Sequence, residues 1–330
     1  MKLNNIELSF DNFASEMAKL KNEKHFDYLV TIIGEDFGEE GLGCIYILEN
    51  TQTNERCSVK TIAKKVDGSD VIPTVINLWK VADLLEREVF DFVGIKFLGH
   101  PDMRRLFLRT DFQGYPLRKD FDMSPDANKF PCTDEPEDDF TMEYSLSEDG
   151  HLVATEKRRF DEDEYVVNIG PNHPSTHGVL RLQTVIDGET VKRIYPHLGY
   201  IHRGIEKMWE NMTYPQTLAL TDRLNYLSAM MHRHALVGVI EEAMGIELSD
   251  RIRYIRTIMD ELQRIDSHLL YLGCTAQDLG ALTAFLYCMR DREHVLNVME
   301  ETTGGRLIQN YYRIGGLQAD IDPNFVQNVK

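Results

Sequence analysis

The sequence predicts an α+β protein: an N-terminal α/β domain over residues 1–121, an acidic linker over 122–164, and over 165–330 a small β element leading into a helical bundle. Three observations carry this prediction. Before Phe121, runs rich in β-branched and aromatic residues alternate with apolar residues at helical spacing. Between Asp122 and Glu164, fifteen Asp or Glu stand against four Lys or Arg, with Pro125, Pro131 and Pro136 spaced among them. After Glu206, long helical periods with short connections take over. At 330 residues the chain exceeds one ordinary core, so two domains are expected.

In the first part, Phe13, Met17 and Leu20 follow Asp11 at helical spacing. Tyr28–Ile33 and Gly43–Leu48 read as strands, residues 50–54 as a turn, and Arg56–Ile62 as the strand completing a hairpin. Pro73 is expected to open a helix, because Val75, Leu78, Val81, Leu84 and Leu85 keep the period, with Glu86, Arg87 and Glu88 near its end. The passage EREVFDFVGIKFLGHPDMRRLFLRTDFQGYPLRKDF, residues 86–121, then loses amphipathic order. A loop this long inside a compact domain is usually functional or forms an interface. Arg104, Arg105, Arg118 and Lys119 beside its aromatics predict a surface that grips a partner.

Low hydrophobicity and like charge make residues 122–164 an extended connection, pinned by Phe130, Phe140 and Tyr144. Tyr165–Ile169 and Val179–Ile186 read as strands joined by a stiff turn. A helix begins at Glu206–Asn211, is interrupted at Pro215, and resumes from Thr217 or Asp222 through Met244 to Gly245. Ser249 caps the next, whose apolar face runs Ile252, Ile255, Met259, Leu262, Ile265, Leu269 and Leu272, with Gly273 as its stop. A third helix runs from Ala281 to about Thr303, before Gly304 and Gly305, and residues 312–316 form a turn.

Net charge is −18, most of it in the acidic stretch, and no basic face exists for nucleic acid. Cys44, Cys57, Cys132, Cys274 and Cys288 include no C-x-x-C and no close pair, which argues against an iron–sulfur or zinc site built by this chain. Nothing at the N-terminus looks like a signal peptide, so a disulfide framework is not expected and a reducing cytoplasm fits. The longest apolar passage, Leu269–Met289, holds Gln277 and Asp278 in its middle and is no transmembrane span. Work at a membrane would require docking on partners.

Chemistry concentrates in NIGPNHPSTHGVLRL, residues 168–182. Gly170 to Gly178 packs two histidines, two prolines, two glycines, a serine and a threonine into nine residues, so it forms neither regular helix nor central strand. The bland reading is a hairpin whose histidines cap backbone groups. Further candidates are His173, His177, His197, His202, Arg203, Arg223, Tyr226, His232, His234, His268 and Asp278. No metal site is expected: His173 and His177 share a turn rather than a helix face, and His232 and His234 point two ways. Ser175 lacks a recognisable base and oxyanion hole. Proton donation suits these residue types better. An acceptor that gains electrons becomes basic, and imidazolium and phenol can then supply protons, with a carboxylate holding the imidazole's tautomer and charge. A loop histidine, a helix tyrosine and an aspartate at a helix start could converge in that way.

Several stretches are familiar. GPNHPSTHGVLRL (170–182), PHLGYIHRGIEK (196–207), TDRLNYLS (221–228), DLGALTAF (278–285) and NYYRIGG (310–316) resemble the D subunit of respiratory complex I, its quinone-reducing component. Residues 86–121 resemble the C subunit of the same complex, and the order is that of the fused C/D polypeptide of some bacteria. The resemblance implies a D-like part with the fold of the nickel–iron hydrogenase large subunit without its metal. It also implies quinone, menaquinone or ubiquinone, as substrate. By position His177 and Tyr226 match the pair that hydrogen-bonds the quinone head group, and Asp278 matches the carboxylate behind the histidine. Arg203 and Arg223 match arginines near a 4Fe–4S cluster held by the adjacent B subunit, so no cluster is ligated by this chain. Implied partners are the B, I, H and A subunits of complex I, at the cytoplasmic face of the inner membrane. Sequences of the D subunit continue beyond Lys330, which implies a C-terminally truncated D part. Met230–His234 departs from the family's small polar residues. Two rival readings are a hydrogenase-like subunit on the same scaffold and a non-catalytic assembly scaffold.

Overall fold

The computed structural model describes residues 4–124, 139–161, 164–176 and 178–330. They form a mixed α/β structure of two compact units, Met1–Arg203 and Gly204–Lys330.

The first unit begins with β1 (Asn4–Leu8), α1 (Phe10–Asn22), β2 (Tyr28–Asp36), β3 (Leu42–Asn50) and β4 (Glu55–Ile62). They build a sheet of order β1-β4-β3-β2, with β1 parallel to β4 and the other pairs antiparallel. Alternation buries Cys44, Tyr46 and Leu48 of β3 and Cys57 and Val59 of β4. Phe13, Met17 and Leu20 of α1 join this core, as their spacing predicts.

A second sheet, order β5-β6-β7-β8-β9, takes β5 (Lys64–Val66), β6 (Ser69–Pro73), β7 (Lys96–Leu98), β8 (Phe140–Leu146) and β9 (Leu152–Arg158). Two expectations are corrected here. Pro73 closes β6 rather than opening a helix, and α2 starts nine residues later, spanning Ala82–Val93. The cause is Glu86, whose carboxylate accepts the Thr74 hydroxyl at 2.6 Å and the Val75 amide at 2.7 Å, holding residues 74–81 in turns. Residues 140–158 of the acidic stretch are no extended connection either. They form the β8–β9 hairpin, with Asp67 accepting the Leu152 amide at 2.7 Å and meeting the His151 ring. The expected anchor Phe130 lies outside the described residues.

The arginines expected to grip a partner are engaged within the chain. Arg104 pairs with Asp102 at 2.6 Å, Arg105 with Asp91 at 2.9 Å, and Arg118 donates to the Val93 carbonyl at 2.5 Å. The fully buried Asp91 also accepts the amides of Leu106, Phe107 and Leu108. This carboxylate nest gives the irregular 104–108 segment its conformation. A third sheet, order β10-β13-β14, contains β10 (Tyr165–Ile169), β13 (Arg181–Asp187) and β14 (Thr190–His197). A two-residue ladder of β11 (Asn172–His173) and β12 (Gly178–Val179) extends the β10–β13 hairpin.

The second unit is helical: α3 (Ile205–Trp209), α4 (Tyr214–Thr221), α5 (Ala229–Met244), α6 (Asp250–Asp278) and α7 (Leu282–Thr303). A small hairpin of β15 (Tyr312–Arg313) and β16 (Gly316–Leu317) follows, then α8 (Phe325–Val329). Pro215 does not interrupt a helix. It sits in the first turn of α4, where a proline's missing N–H costs nothing, behind a Thr213–Gln216 capping box. The continuous helix expected up to Met244 is instead α4, the 3-10 turn Tyr226–Ser228, and α5. Ser249 caps α6 as expected. Gly273 does not end α6. A Cβ there would stand 3.2 Å from the Cβ of Cys288 and the Cε of Met289 on α7, so the glycine lets the two helices approach. Among the described residues no helix is long and apolar enough to cross a membrane.

Candidate functional site

The Gly170–Gly178 turn leaves β10 and returns along β13 in the register Ile169 opposite Leu182. Gly170 has φ +88°, and a Cβ would lie 2.0 Å from the Leu180 carbonyl oxygen, so only glycine fits. Residues 172–173 pair with 178–179 and close the tip. His173 takes the capping role: its Nδ1 accepts the Ser175 amide at 3.2 Å, which leaves Nε2 as the protonated nitrogen of the neutral ring. The Thr176 hydroxyl stands 2.9 Å from the carbonyls of both His173 and Gly178. His177 lies outside the described residues.

Tyr226 opens the 3-10 turn Tyr226–Ser228, where the Asn225 side chain accepts the Leu227 amide at 3.1 Å. The residue is 56 % exposed. This turn packs against α6, the helix whose last residue is Asp278. Asp278 therefore stands at a helix end, not at the start expected from the sequence. Arg223 donates to the Ala219 carbonyl at 2.7 Å and is exposed; Arg203 is the last residue of the first unit and is exposed too. The structure thus places Tyr226 and Asp278 on elements that touch, and Arg203 and Arg223 in separate units.

The other histidines divide by role. His197 meets the Gln183 amide oxygen at 3.1 Å, and His232 bonds back to the Ser228 carbonyl at 2.9 Å. His202 stacks on the Phe92 ring and meets the Phe107 ring at a tilt. His234 pairs with Asp260 at 2.5 Å, whose other oxygen accepts the Tyr312 hydroxyl at 2.7 Å. Burial, and then the neighbouring Asp260 charge, pushes the Tyr312 phenol far up, so it stays protonated and can donate to Asp260. Beside this group lie two buried ion pairs. Arg256 grips Glu241 with both nitrogens, at 2.8 and 2.7 Å, and Arg233 meets Asp222 at 2.7 Å. Their partners are fifteen and eleven residues apart in sequence, and no spacing rule at sequence level joins them. Among the described residues no three His, Cys, Asp or Glu gather as metal ligands would.

The first unit also contains a cleft of about 440 Å³, lined among others by Arg105, Phe107, Arg109, Asp139, Arg181 and His197. It is built by the loop after β7 and the third sheet, two segments far apart in sequence, and sequence patterning gives no sign of it.

Residues 6–127 match the family of respiratory-chain NADH dehydrogenase 30 Kd subunits, and residues 278–330 match the 49 Kd subunit family. The chain is 56 % identical over 325 residues to the C/D subunit of NADH-quinone oxidoreductase from Phocaeicola vulgatus, covering 98 % of this chain and 62 % of that protein. The C/D subunit from Bacteroides thetaiotaomicron is 56 % identical, with 96 % and 61 % covered. The second C/D subunit from Aquifex aeolicus is 40 % identical, with 98 % and 57 % covered. The chain spans about three-fifths of the length of these relatives. In sequence it is similar to the fused C/D subunits of NADH-quinone oxidoreductase.

Proposed function

We propose that this chain forms part of the peripheral arm of a complex I-type quinone oxidoreductase and contributes to its quinone head-group site. The observation that carries the reading is the order of the two family matches on one chain, 30 Kd then 49 Kd, the second opening on Asp278. In this reading residues 1–121 are the C-like part, the 140–158 hairpin completes their second sheet, and 165–330 are the D-like part with a hydrogenase large-subunit fold. Quinone, menaquinone or ubiquinone, is the substrate. Electrons arrive singly from a 4Fe–4S cluster in the neighbouring B subunit; Arg203 and Arg223 match the family's arginines near that cluster. Reduction to quinol takes up two electrons and two protons. His177 as imidazolium gives one proton and the Tyr226 phenol the other, one to each quinone oxygen. The Asp278 carboxylate fixes the imidazole's tautomer and favours its charged form. Residues 97–121 dock against the B subunit, the D-like part and other arm subunits, and the A, H and I subunits complete the surroundings at the cytoplasmic face of the inner membrane.

The exposure of Tyr226 on a short turn supports this role, since a proton donor must reach its acceptor without unfolding a helix. In the assembled complex, His177→Ala and Tyr226→Phe should each lower quinone reductase turnover by roughly 100-fold or more, the usual contribution of one proton donor. Reduction of the clusters by the electron donor should be unchanged. Wild-type turnover in both variants removes the assignment.

A further inference from the structure

The first unit holds one short turn by an unusual set of contacts. Gly199–His202 closes with the His202 amide donating to the Gly199 carbonyl at 2.9 Å, and Arg203 follows directly. Gly199 has φ +92°, and a Cβ on it would stand 2.0 Å from the Phe107 carbonyl oxygen, so the two backbones touch. Beyond that contact the His202 ring lies on Phe92, centroids 5.1 Å apart at 23°, and beside Phe107, tilted at 37° with centroids 5.9 Å apart. Phe92 and Phe107 are themselves stacked at 5.5 Å and 15°. Behind Phe107 stands the buried Asp91 carboxylate, which accepts the Phe107 amide at 2.7 Å and those of its two neighbours at 3.1 and 2.9 Å. A line of fixed groups therefore runs from Asp91 through the 106–108 backbone to Phe107, then to Gly199 and His202. It ends one residue before an exposed arginine.

We propose that Phe92 and Phe107, set by Asp91, are positioning residues for quinone reduction: they hold the Gly199–His202 turn so that Arg203 is presented in one orientation. A long exposed side chain on a free turn samples many orientations, and fixing its backbone removes that cost before a charged neighbour approaches. The consequence for turnover rests on the reading of Arg203 given above; the clamp itself rests only on the contacts. The N-terminal part then does more than dock: it orders a turn that belongs to the D-like part.

The test uses the assembled complex carrying Phe107→Leu, which keeps apolar volume and loses the aromatic face, and Phe107→Tyr, which keeps the face. Hydrogen exchange of the peptide covering 198–203 reads the clamp. Phe107→Leu should speed that exchange by roughly 2- to 10-fold, the worth of an aromatic contact. It should lower kcat for quinone several-fold with KM unchanged, and Phe107→Tyr should restore both. Phe92→Leu should repeat the Phe107→Leu result. Unchanged exchange in both leucine variants overturns the clamp. Faster exchange with wild-type kcat overturns the positioning role, and so does a kcat loss that Phe107→Tyr does not rescue. Failure of the underlying reading looks different: His177→Ala and Tyr226→Phe would keep turnover while the exchange difference remained.

Discussion

Glu86 illustrates what one buried carboxyl does in this protein. It is fully buried below the Thr74–Val75 turn, and burial pushes its pKa up to about 8 against the hydrogen bonds from Thr74 and Val75. The folded state therefore holds this proton more tightly than the unfolded chain, whose glutamates titrate near roughly 4.3. Between those values stability should fall as pH rises, by at most roughly 1.4 kcal/mol per pH unit, and level off above about 8. Glu86→Gln keeps the shape, removes the titration, and should flatten the unfolding midpoint over that range in pH-dependent thermal denaturation. A slope unchanged by the substitution would place the proton elsewhere. At this scale the sequence is informative about residue type and silent about partners. Tyr226 and Asp278 are candidates by residue type, and only resemblance ties them to one site. His234, Asp260 and Tyr312 meet across separations of 26 and 52 residues that no local pattern encodes.

Elements were legible where one periodicity dominates. The strands β2, β3 and β4, helix α1 and the Ser249 start of α6 follow from alternation, 3.6-residue spacing and capping chemistry. The misreadings share a cause, which is that Pro and Gly have several uses. Pro73 ends a strand because a distant carboxylate claims the next two residues, and Pro215 begins a helix. The hairpin at 140–158 lies in acidic sequence, yet β8 pairs with β7 in a sheet, a non-local gain that composition does not show. Gly273 is the sharpest case, because as a helix interior residue it costs up to roughly 1 kcal/mol against alanine. The close approach of Cys288, Met289 and Phe285 explains it. Gly273→Ala should change stability little, since the propensity gain offsets a contact tighter than usual. Gly273→Leu should force α6 from α7 and destabilise by about 1–3 kcal/mol in urea unfolding. A neutral leucine variant would show the interface to be loose.

For the whole molecule, the informative quantity is how the cores are divided. One buried cluster draws on residues between Phe13 and Met103, and the other on residues between Leu218 and Phe325, with no member in common. The two are built differently as well. The first is a sheet core of aromatic and β-branched residues, whereas the second is threaded by the buried pairs Arg233–Asp222 and Arg256–Glu241. Arg256 also donates to the carbonyls of Arg313 and Gly316 at 3.0 Å, and Glu241 accepts the Gly315 amide at 2.7 Å, so the pair ties α5, α6 and the β15–β16 hairpin together. Removing one member of such a pair leaves an uncompensated buried charge, at a cost of about 3–5 kcal/mol. Separate cores predict two calorimetric transitions rather than one. Glu241→Ala should lower one of them strongly and leave the other in place. Phe13→Ala, which opens a cavity against Tyr46 in the first core, should lower the other by about 3–5 kcal/mol. If either substitution moved both transitions together, the two cores would be folding as a single cooperative unit.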